Sequence, residues 1–105
     1  MSGESIIPGN INNMCHICGR YVEKPHQHHI FGGPNRMISD RYGLWVWLCP
    51  DHHTGDHGIH GNKAMMQKYH EIGQRAFEDW YMEKFGESQE NARKEFMRLF
   101  MKNWL

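Results

Sequence analysis

Residues 49–63, which read CPDHHTGDHGIHGNK, contain one cysteine, four histidines and three glycines. Imidazole and thiolate are the side-chain groups that most readily bind transition metals. The glycines argue against an ordinary helix over the whole segment, because each of them favours a turn. We therefore expect this segment to fold tightly around bound metal.

Two short pairs in the sequence have the spacing of a closed metal site. Cys15 and Cys18 form a Cys-x-x-Cys pair, and Cys49 and His52 form a Cys-x-x-His pair that begins 31 positions after Cys18. Two ligands separated by two residues can reach one ion, and two such pairs complete a tetrahedral site. The pattern predicts one structural Zn²⁺ held by these four residues, the alternative being that the cysteines are small buried residues.

Five more histidines lie close to these pairs in the sequence. His28 and His29 precede the second pair, whereas His53, His57 and His60 follow it. One tetrahedral zinc cannot bind all of them in addition to its own four ligands. The sequence therefore predicts a second metal site.

The elements that would position these residues are a β-hairpin and two helices. Residues 28–31 and 43–49 have the apolar and aromatic character of short strands, and residues 32–40 have that of a turn followed by a loop. Cys49 would then end the second strand.

Residues 63–105 contain no cysteine and no proline, and their apolar residues recur at steps of three and four. This periodicity predicts two antiparallel helices that pack on each other. The first would begin near Asn62 and end at Gly86, and the second would run from an N-cap at Ser88 to about residue 104. The apolar faces are Met65, Tyr69, Ile72, Ala76 and Trp80 in the first helix, and Ala92, Phe96, Leu99 and Phe100 in the second.

A length of 105 residues favours a single domain. Within it we expect a loose N-terminal tail over residues 1–13, a zinc-stapled core over residues 14–64 and a two-helix extension over residues 65–105. The charge is balanced, with 12 Lys and Arg against 12 Asp and Glu, so overall charge gives no support for nucleic-acid binding. Because the first residues do not read as a secretion signal and closely spaced thiols favour metal over disulfides, we expect a cytoplasmic protein without membrane association.

The order C-x-x-C, H-H-I, C-x-x-H-H resembles that of the HNH endonucleases, which belong to the His-Me finger (ββα-metal) superfamily. Residues 14–64 are also similar to small HNH-type proteins of phages and prophages. The resemblance implies an α+β fold, with a zinc-stapled ββα-metal core followed here by a C-terminal helical hairpin. It also implies a location in the cytoplasm of a bacterial host.

The resemblance implies a role for each histidine of the predicted second site. His28 would bind the catalytic ion, His29 would be the general base, and His53 would be the second metal ligand. His60 competes with His53 for that role, and His57 ranks third. Adjacent residues of a regular strand point to opposite faces, so we expect a bulge or twist that lets His28 and His29 act at one place.

The middle asparagine of the HNH pattern is replaced in this chain by Leu44. In that family the asparagine orients the loop that carries the base. Arg36 and Arg41, in and beside the connecting loop, are candidates for contacts with DNA phosphates.

We expect a DNA endonuclease that uses one structural Zn²⁺ and one catalytic divalent ion, which could be Mg²⁺, Mn²⁺, Ni²⁺ or Zn²⁺. One alternative is a zinc-stapled nucleic-acid-binding or adaptor module of a phage without catalysis. Another is a protein-interaction domain whose C-terminal helices bind a larger phage protein or a second copy of the chain; eight methionines would give these helices an adaptable apolar surface.

Overall fold

Strand β1 (His26–His29) pairs antiparallel with strand β2 (Trp45–Leu48) in a computed structural model that describes residues 4–105. The pairing places His28 opposite Val46 and His29 opposite Trp45. The predicted hairpin with a long connection is therefore present. Together with four α-helices, the two-stranded sheet gives a small α+β fold.

The connection between the strands contains a helix that the sequence analysis did not predict. A 3-10 turn over Gly33–Asn35 leads directly into α1 (Arg36–Arg41). Pro34 fixes a backbone φ that suits the start of a helical segment. Gly43, with a φ of 71°, follows the helix and turns the chain into β2. The prediction of a loop over this region was wrong because the turn residues were interpreted as ending structure, whereas here they start a helix.

Helix α2 (Pro50–His53) is a single turn that follows β2 directly. The backbone N–H of His53 donates to the carbonyl of Cys49 at 3.0 Å. The chain then folds back so closely at Gly58 that a Cβ there would lie 2.5 Å from the carbonyl oxygen of His53. Only glycine fits where the backbone passes this close to itself. The chain then continues into a second 3-10 turn over Ile59–Gly61.

Helices α3 (Lys63–Phe85) and α4 (Gln89–Phe100) form the predicted C-terminal hairpin. The side chains of Asn62 and Ser88 cap their N-termini, and Gly86 ends α3 in the left-handed conformation, as predicted. Helix α4 ends at Phe100 and not near residue 104, because Met101 takes a φ of 62° and turns the chain. No helix among residues 4–105 is long and apolar enough to cross a membrane.

A continuous apolar core joins the helical hairpin to the cysteine-containing region. The ring of Phe31, which follows β1, lies 4.6 Å from that of Phe100, and Phe77 of α3 lies 5.5 Å from Phe96, between ring centroids. The predicted apolar faces contribute Tyr69, Ala76, Ala92, Phe96 and Phe100 to the buried residues. The same core contains buried residues of the β-hairpin and of the first knuckle, which is the turn that carries Cys15 and Cys18. The helices therefore pack against the region that carries the candidate metal ligands.

Residues 4–13 do not form the loose tail that was predicted, and residues 1–3 lie outside the described part of the chain. The backbone N–H of Ile6 donates to the carbonyl of Gly43 at 2.9 Å, and the side chain of Asn10 accepts from the N–H of Trp47 at 2.8 Å. Ile7 is buried in the core. The segment therefore covers the outer edge of β2, where it satisfies backbone groups that the two-stranded sheet leaves unpaired.

Candidate functional site

Cys15, Cys18, Cys49 and His52 come together in one cluster, as the sequence spacing predicts. One ligand atom from each residue lies within 4.8 Å of the others, and Cys49 Sγ is 3.1 Å from His52 Nδ1. Tetrahedral zinc, with bonds of about 2.3 Å to sulfur, would place two sulfur ligands about 3.8 Å apart. The cluster could therefore hold a structural metal such as zinc. The cysteines are free thiols, with no disulfide in the described chain.

The first knuckle is a tight turn built by backbone hydrogen bonds. The N–H of Cys15 donates to the carbonyl of Arg20, and the N–H of Gly19 donates back to the carbonyl of Cys15 at 2.8 Å. Gly19 permits this turn because its φ is 72°. Both cysteine side chains are thereby held on the same side of the turn, as one ion requires.

The pKa values of the two buried thiols, Cys15 and Cys49, are shifted in opposite directions. Burial acts to raise the pKa of Cys15, but backbone N–H groups at Cys18 and Cys49 hydrogen-bond its sulfur and bring that pKa below the ordinary value. Burial raises the pKa of Cys49 above its ordinary value. A thiolate is the form that binds metal. The donors around Cys15 therefore prepare one sulfur for ligation before an ion arrives.

A second cluster contains His28, His53 and His60, which three different elements supply. One nitrogen from each ring lies within 4.8 Å of the others, and the Nε2 atoms of His53 and His60 are 3.1 Å apart. The three ring centroids are separated by 4.9–5.2 Å. Two imidazole ligands of a tetrahedral ion have nitrogens about 3.3 Å apart. This cluster could therefore hold a metal ion.

The centre of this cluster contains a buried polar atom without a partner. His28 is 2% exposed, and its Nε2 makes no hydrogen bond to any group of the described chain. A buried nitrogen in this state is unfavourable unless something else satisfies it. Burial, followed by the charges that His53 and His60 would carry, lowers the pKa of His28 to about 3. His28 is therefore neutral at physiological pH and has the lone pair that a metal needs.

Adjacent histidines of α2 take part in the two different clusters. Successive residues of a helix are turned by about 100° from each other, so His52 and His53 point in different directions. His52 contacts Cys49 in the first cluster, whereas His53 contacts His60 in the second. Residues 49–63 thus connect two candidate metal sites.

His26 contacts the second cluster as a supporting residue, whereas the sequence alone leaves open whether it is a loop residue or a partner of a metal ligand. Its Nδ1 lies 3.0 Å from Nδ1 of His53. If the proton is on Nδ1 of His53, the Nε2 of that ring keeps its lone pair and faces His60 and His28. The signal in the sequence was the alternation His26, Gln27, His28, since residues two apart on a strand share a face.

The predicted bulge that would bring His28 and His29 to one place was wrong. Both residues pair regularly with β2, so His28 faces α2 while His29 faces α1. On that second face the Nε2 of His29 lies 3.5 Å from a carboxylate oxygen of Asp40. This regular pairing counts against two roles at one spot, although both histidines line one cleft of about 320 Å³.

Of the other predicted site residues, only Arg36 lies at the cleft, whereas Arg41 and His57 do not. Arg36 lines the same cleft, together with Gly32 and Gly33. Arg41 is exposed at the end of α1 and is not among the lining residues. His57 pairs with Asp51 at 2.9 Å and is not part of the second cluster, which leaves His53 and His60 together as ligands.

Leu44, at the position predicted to correspond to the asparagine of the HNH pattern, is completely buried in the core.

Compared with family models, with curated proteins and with solved structures, the chain has no match in any of the three.

Proposed function

We propose that this protein is a metal-dependent DNA endonuclease of the HNH type. The observation that carries the proposal is the second histidine cluster, which is separate from the Cys₃His cluster and opens onto a cleft. A structural site needs only one set of four ligands, so three further converging imidazoles call for another role. The unpartnered Nε2 of buried His28 supports metal binding at that cluster.

We further propose that the Cys₃His cluster holds a structural zinc ion that links two parts of the chain. Its ligands come from the first knuckle and from the junction of β2 with α2. Zinc there would fix α2 against the first knuckle, and α2 also carries His53. The structural ion would thereby position one ligand of the catalytic ion.

Hydrolysis of a phosphodiester bond needs a base for the attacking water and stabilisation of charge on the phosphate. A divalent ion bound at His28, His53 and His60 would supply Lewis-acid stabilisation to the phosphoryl oxygen and to the leaving 3′ oxygen. His29 accepts the proton of the attacking water through the lone pair of a ring nitrogen. Arg36, which lines the same cleft, binds a phosphate oxygen.

Asp40 supports the role of His29 as the base. Its carboxylate oxygen lies 3.5 Å from Nε2 of His29, and it also accepts a hydrogen bond from Gln27 at 3.2 Å. A proton on Nε2 that faces this carboxylate leaves the Nδ1 lone pair free to accept a proton. The carboxylate also stabilises the imidazolium that then forms. Asp40 is thus a positioning residue for His29.

Ser39 supports a loop that the family asparagine would otherwise orient. Its hydroxyl donates to the carbonyl of Leu44 at 2.6 Å and accepts from the N–H of Phe31 at 3.2 Å. These two bonds join the beginning and the end of the connection between β1 and β2. The connection that follows His29 is therefore anchored although the asparagine is replaced.

The test is cleavage of supercoiled plasmid by the wild type, His29→Ala and His57→Ala, each with Mg²⁺, Mn²⁺, Ni²⁺ or Zn²⁺. We expect His29→Ala to lose activity by about 10²- to 10⁴-fold, as is usual when a general base is removed. His57→Ala should keep wild-type activity, because His57 contacts Asp51 and not the cluster. All three proteins should retain one zinc. Equal cleavage by wild type and His29→Ala would exclude His29 as the base.

A nucleic-acid-binding module without catalysis is the second candidate. It is favoured by the regular strand pairing that separates His28 from His29 and by the apolar Leu44. If wild-type protein with one bound zinc leaves the plasmid intact in every metal, this second candidate replaces the first.

A further inference from the structure

A second cleft, of about 350 Å³, lies directly beside the histidine cluster. The beginning of α3 and the C-terminal residues form its walls, and it shares His60 with the first cleft. The two clefts are therefore adjacent, with a metal ligand at their boundary. The residues that line the second cleft and bear on the argument are Lys63, Lys102, Trp104, Asn62 and His70.

The side chains of the two clefts are strongly biased towards positive charge. Arg36 lines the first cleft, and Lys63 and Lys102 line the second, whereas no Asp or Glu among residues 4–105 lines either one. Asp40 contacts the lining side chains of Gln27 and His29, and Glu71 contacts that of Gln67. The charged side chains that line the two clefts are thus all cationic, in a chain with 12 basic and 12 acidic residues overall.

The wall that carries Lys102 is anchored to α3. The amide nitrogen of Gln74, which is completely buried, donates to Asn103 at 2.7 Å, and its carbonyl oxygen accepts the N–H of Trp104 at 2.8 Å. The indole of Trp104 packs 4.8 Å from Phe31 between ring centroids. Residues 102–104 are therefore held at the cleft, although α4 has already ended.

We propose that the second cleft binds the DNA backbone next to the phosphate that the histidine cluster cleaves, with Lys63 and Lys102 as its phosphate contacts. This inference rests on the proposed endonuclease function and extends it to the site of DNA binding. Phosphates of one strand follow each other about every 3.4 Å along the duplex axis, so a strand seated at His60 must continue into a neighbouring surface. The second cleft is the neighbouring surface with matching charge, and it also gives a protein without net charge a place to bind DNA.

The test compares two double variants that remove the same charge. Lys63→Gln with Lys102→Gln changes the cleft, whereas Lys24→Gln with Lys68→Gln removes two exposed lysines that line neither cleft. Both are made with His29→Ala, so that binding is measured without cleavage. Binding of a fluorescent 20-base-pair duplex is followed by anisotropy at a series of NaCl concentrations, and folding is checked by thermal melting and zinc content.

We expect the cleft variant to bind at least about tenfold more weakly. The slope of log K against log [NaCl] should decrease in magnitude by about 1.8, which is 0.9 for each lost phosphate contact. The control variant should keep the slope of its parent. Equal losses in both variants, or an unchanged slope in the cleft variant, would overturn the inference, as would a parent that does not bind DNA.

Failure of this inference and failure of the endonuclease proposal give different results. If the wild type cleaves plasmid and the two double variants bind DNA equally, the second cleft is not the binding site and the enzyme assignment remains. If no metal supports cleavage but the cleft variant selectively loses binding, the second cleft binds DNA, the cleaved phosphate beside it is excluded, and the protein is a binding module.

Discussion

At the scale of single residues, His26 shows how a side chain outside the ligand set can control a metal site. It contacts Nδ1 of His53, on the side of the ring away from His60. Partners of this kind fix the tautomer and orientation of a ligating imidazole. In the first of the two candidate sites, backbone N–H groups contact the sulfur of Cys15 instead.

We predict that His26→Ala weakens binding of a divalent ion at the His28, His53 and His60 cluster by about 10- to 100-fold. The measurement is calorimetric titration of Ni²⁺ into protein that already contains one equivalent of zinc. His57→Ala is the matched control, because that histidine is exposed and paired with Asp51. Wild-type affinity in His26→Ala would show that His53 is held by its position on α2 alone.

Sequence patterns identified the ligands better than the residues that support them. Cys15, Cys18, Cys49 and His52 follow a spacing that is typical of one shared ion, so their cluster could be predicted. The contacts of His26, Ser39 and Asp40 depend on α1 and on the strand register. These are tertiary features, and the only local signal among them is the alternation that places His26 on the same strand face as His28.

At the scale of elements, local signals predicted where α3 and α4 begin and where α3 ends, but not α1 or the end of α4. Asn62 and Ser88 cap their helices, as their residue types suggest. Residues 4–13 look like a tail in sequence, yet they cover the edge of β2 because that edge has free backbone groups. The periodicity of α3 did not predict its buried polar residues Gln74 and Glu78. Those two bind the C-terminal segment and Arg93 of α4, respectively.

Gly73 is the point where α3 approaches the chain that follows β1. A Cβ at this position would lie 2.8 Å from Cγ2 of Ile30 and 2.9 Å from Cε2 of Phe31, both fully buried. Alanine is favoured over glycine in a helix by about 1 kcal/mol. Overpacking a rigid core costs about 1–3 kcal/mol, and this term should prevail because neither neighbour can move into solvent.

We therefore predict that Gly73→Ala lowers the free energy of unfolding by about 1 kcal/mol, measured by urea denaturation of the zinc-bound protein. Gly61→Ala is the control, because no atom lies within 4 Å of the added methyl group and the backbone φ is not positive. A Gly73→Ala protein more stable than the wild type would mean that helix propensity outweighs packing at this contact.

At the scale of the whole molecule, one core has to serve both the metal region and the helical hairpin. Buried residues from the first knuckle, the strands, α3 and α4 form a single cluster, which includes the ligands Cys15 and Cys49. A small domain has a total stability of about 5–15 kcal/mol, whereas a structural zinc can contribute about 10–16 kcal/mol. Loss of the ion should therefore destabilise the whole core and not only the knuckles.

Cys18 allows this coupling to be tested with little effect on packing. It is exposed, whereas Cys15 and Cys49 are buried, so Cys18→Ala removes a zinc ligand but almost no buried surface. We predict that this variant binds less than one equivalent of zinc and loses the cooperative thermal unfolding of the wild type, including that of α3 and α4.

Wild-type protein treated with a strong chelator should behave in the same way and recover when Zn²⁺ is added. Arg20→Ala, exposed in the same turn, should melt like the wild type. If Cys18→Ala keeps one tightly bound zinc and a cooperative transition, the Cys₃His cluster is not the staple, and α2 must be positioned by its packing instead.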